Sequence, residues 1–161
     1  AGVIAVQGSA AVSQALRATP DSIAYVDFNR FVDDGLAGVA LKNADGQFVG
    51  ASVDSLHEAV THSGWFTQGD FLADLADQHG AKSWPITMGI FVAVPRVPAQ
   101  PERAERALRF LTWAYLHGDA LARQARFVPL PDKVQASAYR EIAKVRNARG
   151  ESLGALLNGA D

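Results

Sequence analysis

The sequence predicts an α/β layered fold, and three observations carry that prediction. Short runs rich in β-branched and aromatic residues alternate with stretches of helical apolar spacing. Asp45-Gly46 lies between two such runs, as a hairpin turn does. Proline or glycine stands at many of the junctions.

Residues 3–6 (VIAV) read as a strand. Gly8-Ser9 opens a helix over residues 10–18, with Ser9 as N-cap and Val12, Ala15 and Leu16 on one face. Thr19-Pro20-Asp21 stops it, because proline restricts the residue before it and cannot continue the hydrogen-bond ladder. Residues 23–28 (IAYVDF) read as a largely buried strand, followed by a polar, turn-rich stretch to Gly35. Residues 39–41 and 47–49 flank Asn43-Ala44-Asp45-Gly46 and form the hairpin arms. Ser52 caps a helix to about Thr61, with Val53, Leu56, Ala59 and Val60 on its apolar face.

A second helix is expected over residues 70–79, burying Phe71, Leu72 and Leu75. Residues 84–94 (WPITMGIFVAV) are the strongest strand candidate, ended by Pro95 and Pro98. Pro101-Glu102 starts the longest helix, reaching about Arg126. It is expected to bury Ala107, Leu108, Leu111, Trp113, Ala114, Tyr115 and Leu116, and Gly118 marks a bend or break. After an extended turn at residues 127–131, a last helix runs from about Asp132 to about Ala148. The small, polar tail from Gly150 is expected to fray. No repeat, low-complexity stretch or clean linker divides the chain.

Length and composition narrow the function classes. The chain has 161 residues, enough for one domain with a core, and 48% of them are apolar against 20% charged, a globular balance. A net charge of −2 gives no basic excess for nucleic acid or an anionic membrane surface. Cysteine is absent, which removes thiol catalysis, disulfides and thiolate metal sites. No charged start, apolar run and cleavage site occurs at Ala1, so the chain reads as mature, truncated or never exported.

Among candidate sites, Gly8 and Ser9 have local anion-binding logic. Free N–H groups at a helix start, the positive end of its dipole and a serine hydroxyl suit an oxyanion. The competing reading is simple capping by Ser9. His57, His62, His79 and His117 lack zinc-ligand spacing and read as surface residues. Asp70, Asp74 and Asp77 share a helical face but lack a calcium loop's turn, so they read as solvated. Asp27, after a strand, has no matched nucleophile or base. No nucleophile elbow or phosphate-binding loop motif is present. Trp65, Trp84 and Trp113 read as core or rim aromatics.

An ordered set of motifs carries a family resemblance. Residues 19–26 (TPDSIAYV) are similar to T-P-G-A-I-G-Y-V, and residues 43–49 (NADGQFV) to N-x-D-G-x-x-V. The stretch around residues 52–56 takes the place of the helix that follows. Trp84-Pro85-Ile86-Thr87 resembles W/Y-P-I-T. Residues 110–118 match F-x-x-W-x-x-x-x-G, and residues 127–131 (FVPLP) match Y-V-P-L-P. With these in one order from Thr19 to about Arg149, the chain resembles the C-terminal half of the periplasmic phosphate-binding proteins, solute receptors of bacterial ABC importers.

That resemblance implies a partial periplasmic-binding-protein-like (type 2) fold, a mixed sheet flanked by helices. Residues 1–83 would form a second-lobe part, residues 84–149 the return to the first lobe, and residues 150–161 a tail. It implies a periplasmic, non-enzymatic protein without a cofactor. Its partners would be inorganic phosphate or a similar oxyanion, an ABC permease, and a missing N-terminal half or a homo-oligomer partner; nucleic acid is not among them. The family's R-S-D-G-S-G-T-S type loop does not occur here, and Gln7-Gly8-Ser9-Ala10-Ala11-Val12 stands where the family has G-x-G-N-x-G-V. No phosphate ligand carries over residue by residue. The alternative function is a non-catalytic scaffold or interaction domain that kept the fold without the anion site.

Overall fold

The computed structural model describes residues 2–154. In chain order these form α1 (Ser9–Ala18), α2 (Phe28–Asp33), β1 (Leu41–Lys42), β2 (Phe48–Val49), α3 (Val53–His62), α4 (Gly64–Thr67), α5 (Pro101–His117), α6 (Asp119–Gln124) and α7 (Asp132–Ile142). The result is helix-rich. Among the described residues the sheet is one antiparallel hairpin, pairing Leu41 with Val49 and Lys42 with Phe48.

The hairpin forms where its turn sequence places it. The buried Asn43 carboxamide oxygen accepts from the Asp45 and Gln47 amides at 3.1 and 3.0 Å. Its NH2 group donates to the Gly80 and Ser83 carbonyls at 3.0 and 3.3 Å, which fastens the turn to the 79–83 loop. The α3 cap also matches expectation. Ser52 Oγ accepts from the Ser55 amide at 3.0 Å, while Ser55 Oγ accepts from the Ser52 amide at 2.9 Å, a reciprocal capping box.

The expected helix over residues 70–79 is replaced by turns. Asp70 and Asp74 each accept from the amide two residues on, Leu72 and Ala76, both at 2.9 Å. These local bonds compete with the helical ladder and win. Leu75 is buried as expected, but Leu72 is 97% exposed and Phe71 half-buried. The intended long helix breaks at Gly118, where a Cβ would come within 2.3 Å of the Ala114 carbonyl oxygen. The final helix ends at Ile142, well short of Ala148. Two short helices, α2 and α4, arise in stretches that read as irregular.

The expected strands at residues 3–6, 23–28 and 84–94 join no ladder among the described residues, so the expected mixed sheet is not formed. Residues 150–154 do not fray. The Leu153 amide donates to the Val145 carbonyl at 2.9 Å, and Leu153 is buried. The rest of the tail lies outside the described residues.

Two small apolar clusters hold the chain. Val60, Trp65, Leu75 and Val134 form one, with Phe66, Phe71 and Leu130 at its margin. Leu108, Ile142, Val145 and Leu153 form the other, with Val94, Leu111 and Tyr115 against it. In α5, Ala107, Trp113 and Leu116 point outward instead of inward, because only one side of the helix meets α7 and the 94–96 segment. The chain exposes 10973 Å². A compact monomer of 17.1 kDa exposes about 7,800 Å² by surface-to-mass scaling.

Candidate functional site

The start of α1 is where anion chemistry was expected. Gly8 is the N-cap and Ser9 the first helical residue, so the expectation of Ser9 as N-cap shifts by one position. No side chain caps the helix. The Ser9 hydroxyl instead donates to the Asp27 carboxylate. A carboxylate therefore stands beside the positive end of α1.

One turn later the pattern repeats. Ser13, buried, donates to Asp34 Oδ2 at 2.6 Å, Arg30 reaches Asp34 Oδ1 at 3.3 Å, and Arg17 donates to the Asp34 carbonyl. The Ser13 hydrogen bond holds the Asp34 carboxyl below its usual range, with Arg30 and Arg17 adding to it and partial desolvation opposing it. Thus α1 meets α2 through serine–carboxylate pairs, which fix the helix and leave its hydroxyls engaged.

A cleft of about 530 Å³ opens elsewhere, between α3, α6 and the start of α7. Phe66 lies against it with the Lys133 ammonium 4.6 Å from the ring centre. Asp119 on its wall accepts from Gln135 at 3.1 Å and from Arg123 at 3.5 Å. The lining mixes Asp54, Asp119 and Asp132 with Arg123 and Lys133, so the cleft presents no single-sign field. The sequence reading did not single out these residues; helical spacing alone cannot bring α3, α6 and α7 together.

The histidines are exposed, as expected. His79 Nδ1 lies 2.8 Å from Asp45 Oδ1, and the Gly80 amide donates to Asp45 Oδ2 at 2.8 Å. The His79 contact, then the Gly80 amide, holds the Asp45 carboxyl low, and Asp45 in turn raises His79. Among the described residues no group of three or more His, Asp or Glu side chains is placed to hold a metal ion, and no helix is long and apolar enough to cross a membrane. Asp70 and Asp74 serve turns, and Trp65 is a core residue whose Nε1 donates to the Ala73 carbonyl at 2.8 Å. Trp84 is half-buried, whereas Trp113 is 48% exposed.

No family model matches the chain. Curated relatives do. The phosphate-binding protein PstS of Haemophilus influenzae is 32% identical over 128 residues, 80% of this chain and 38% of the relative. That of Pasteurella multocida is 29% identical over 133 residues, covering 82% and 39%. That of Xylella fastidiosa is 28% identical over 140 residues, covering 86% and 38%. All three are named as binding proteins, not as enzymes, and the chain spans less than two-fifths of their length. The ordered motifs and these matches agree: over four-fifths of its length the chain is a relative of the bacterial phosphate-binding proteins.

Proposed function

We propose that the chain is the C-terminal-half portion of a phosphate receptor, the solute-binding component of a bacterial ABC uptake system working with a permease in the periplasm. The observation that carries this reading is the match to named phosphate-binding proteins over most of the chain. In this reading residues 1–83 belong to a second lobe and residues 84–149 return to the first. Two lobes close on one anion because both contact it, and no bond is made or broken. The chain supplies framework, and the anion loops belong to the remainder of the receptor. Gly8 and Ser9 add an accessory contact at the start of α1, in competition with the Asp27 carboxylate.

A second reading is favoured by one observation. The hydroxyl best placed for an anion is already spent on Asp27, as suits a scaffold that kept the fold and lost the ligand. One experiment separates the two. A chimera is made in which this chain replaces the matched 128 residues of the Haemophilus influenzae protein. It is then titrated calorimetrically with phosphate and with sulfate. Phosphate-selective heat is expected; a folded chimera that binds neither anion sinks the receptor reading and leaves the scaffold.

A further inference from the structure

The net charge of −2 averages two populations of opposite sign. Residues 1–77 hold ten acidic and three basic side chains, a net of −7. Residues 78–161 hold seven acidic and twelve basic, a net of +5. Helix α7 runs from one population toward the other. Its Val134 packs in the cluster with Val60 and Leu75, beside which α3 and the following turns carry Asp54, Glu58, Asp70 and Asp74. Its Ile142 packs with Leu108, Val145 and Leu153. About 12 Å of helix axis separates Val134 from Ile142, more than the screening length of about 8 Å at physiological salt.

The surface around the end of α7 is basic. Arg96, Arg140, Lys144, Arg146 and Arg149 are all exposed. Arg96 and Lys144 share one carboxylate, Glu141, each at 2.5 Å, so that pair of cations is only half neutralised. Arg140 and Arg146 donate to uncharged oxygens, Ser137 Oγ at 2.7 Å and the Gly150 carbonyl at 3.0 Å. The Arg149 amide is bonded to Asn147 Oδ1, but its guanidinium has no partner among the described residues. The backbone holds these groups together. The Arg146 amide donates to the Arg96 carbonyl and the Leu153 amide to the Val145 carbonyl, each at 2.9 Å. The negative end of the α7 dipole accounts for Lys144, within a turn of the helix end, but not for Arg146 and Arg149 further on or Arg96 from another segment. Lysine and arginine are almost never fully buried unless paired, so this patch is a surface feature and not an uncovered core.

We propose that this basic end is a docking surface for an anionic phospholipid bilayer. Four of its five cations are arginine, whose planar fork matches phosphate oxygens. A planar surface also makes use of the separation of charge. It draws in the basic end, while the acidic end stands beyond the screening length. A soluble polyanion long enough to wrap the chain would meet both signs. A protein of net negative charge thereby gains attraction to a negative surface and one preferred orientation on it, with the end of α7 toward the lipid. The inference does not depend on the receptor reading.

The test is sedimentation of the 161-residue chain with vesicles of phosphatidylcholine alone or of phosphatidylcholine and phosphatidylglycerol in equal parts. At low salt the partition coefficient is expected to be at least about ten-fold higher on the mixed vesicles, and to fall as salt rises. Arg149→Glu removes a side chain that holds nothing in the described fold, and is expected to lower that coefficient at least about five-fold. Lys82→Glu makes the same change of net charge at an exposed position in the 79–83 loop, and is expected to alter it less than about two-fold. Circular dichroism checks that both variants fold. No preference for the mixed vesicles overturns the inference. An equal loss in the two variants also overturns it, because net charge and not the patch would then govern binding. Binding to soluble polyglutamate with none to the vesicles overturns it in favour of an acidic protein partner, and the same result with inorganic polyphosphate does so in favour of a free phosphate polymer.

Discussion

Trp65 joins α4 to the turns at residues 71–73 and to the segment at Phe91. It is 3% exposed, its indole N–H is satisfied by the Ala73 carbonyl, and Phe71 and Phe91 meet it edge-on at 5.5 and 5.2 Å. Trp65→Ala removes a buried aromatic from a small cluster and leaves a cavity. A loss of about 3–5 kcal/mol is expected, read from the urea midpoint. The Asp45–His79 contact makes a different kind of prediction. His79 is raised from 6.5, so its contribution is complete below that pH and fades as pH rises through the folded value. Asp45 is lowered from 3.8, so its contribution is complete above that pH and fades as pH falls through the folded value. Amide protection in the 43–47 turn is therefore expected to be greatest between pH 3.8 and 6.5. His79→Ala should flatten its decline on the neutral side. Both groups are exposed, so the change is small and best seen locally. Ser52 and Ser9 show what a sequence reveals at this scale. The Ser52 cap needs only Ser55, three residues away, and was legible. The partner of Ser9 is Asp27, 18 positions on, and no local rule points to it.

At the scale of elements, α5 is the instructive case. Proline at its first turn and Gly118 after its end were legible, because both act locally. Its orientation was not. Leu108 and Thr112 face inward with Leu111 and Tyr115 half-buried, while Phe110, Trp113 and Leu116 form a second apolar stripe on the outside. A helix apolar on two sides gives periodicity no unique inward face. Leu108→Ala is expected to cost about 2–4 kcal/mol in thermal unfolding, since Leu108 is 1% exposed. Leu116→Ala, at 68% exposure, should change stability by less than about 0.5 kcal/mol in the isolated chain. Its cost should rise in the chimera if the outer stripe is covered there. The lost helix at residues 70–79 has the opposite cause. Its apolar spacing was real, but Asp70 and Asp74 offered the backbone nearer partners.

For the whole molecule, relationship was more legible than architecture. The ordered motifs from Thr19 to Arg149 pointed to the phosphate-binding proteins, and the curated relatives bear that out. The sheet was not realised, because strands are completed by partners and single-chain patterning cannot supply them. An energetic consequence follows from the large exposed area. The denaturant slope scales with the surface newly exposed on unfolding. The isolated chain is therefore expected to unfold in urea with a shallow slope and to bind a dye for exposed apolar surface. The chimera should unfold more steeply per residue and bind less dye. Equal slopes per residue would mean that the extra area is not available for burial.

Arg96 ties the segment after Val94 to α7 in two ways that respond differently to acid. Besides its backbone bond to Arg146, Arg96 reaches the Glu141 carboxylate at 2.5 Å and the Glu141 carbonyl at 3.2 Å. Lys144 and Arg96 together hold that carboxyl below 4.5, so this clamp is complete above that pH and loosens as acid fills the carboxylate. The Arg146–Arg96 backbone bond and the Arg96 bond to the Glu141 carbonyl do not titrate, so acid slackens the Arg96 side chain while the main chain stays tied to the end of α7.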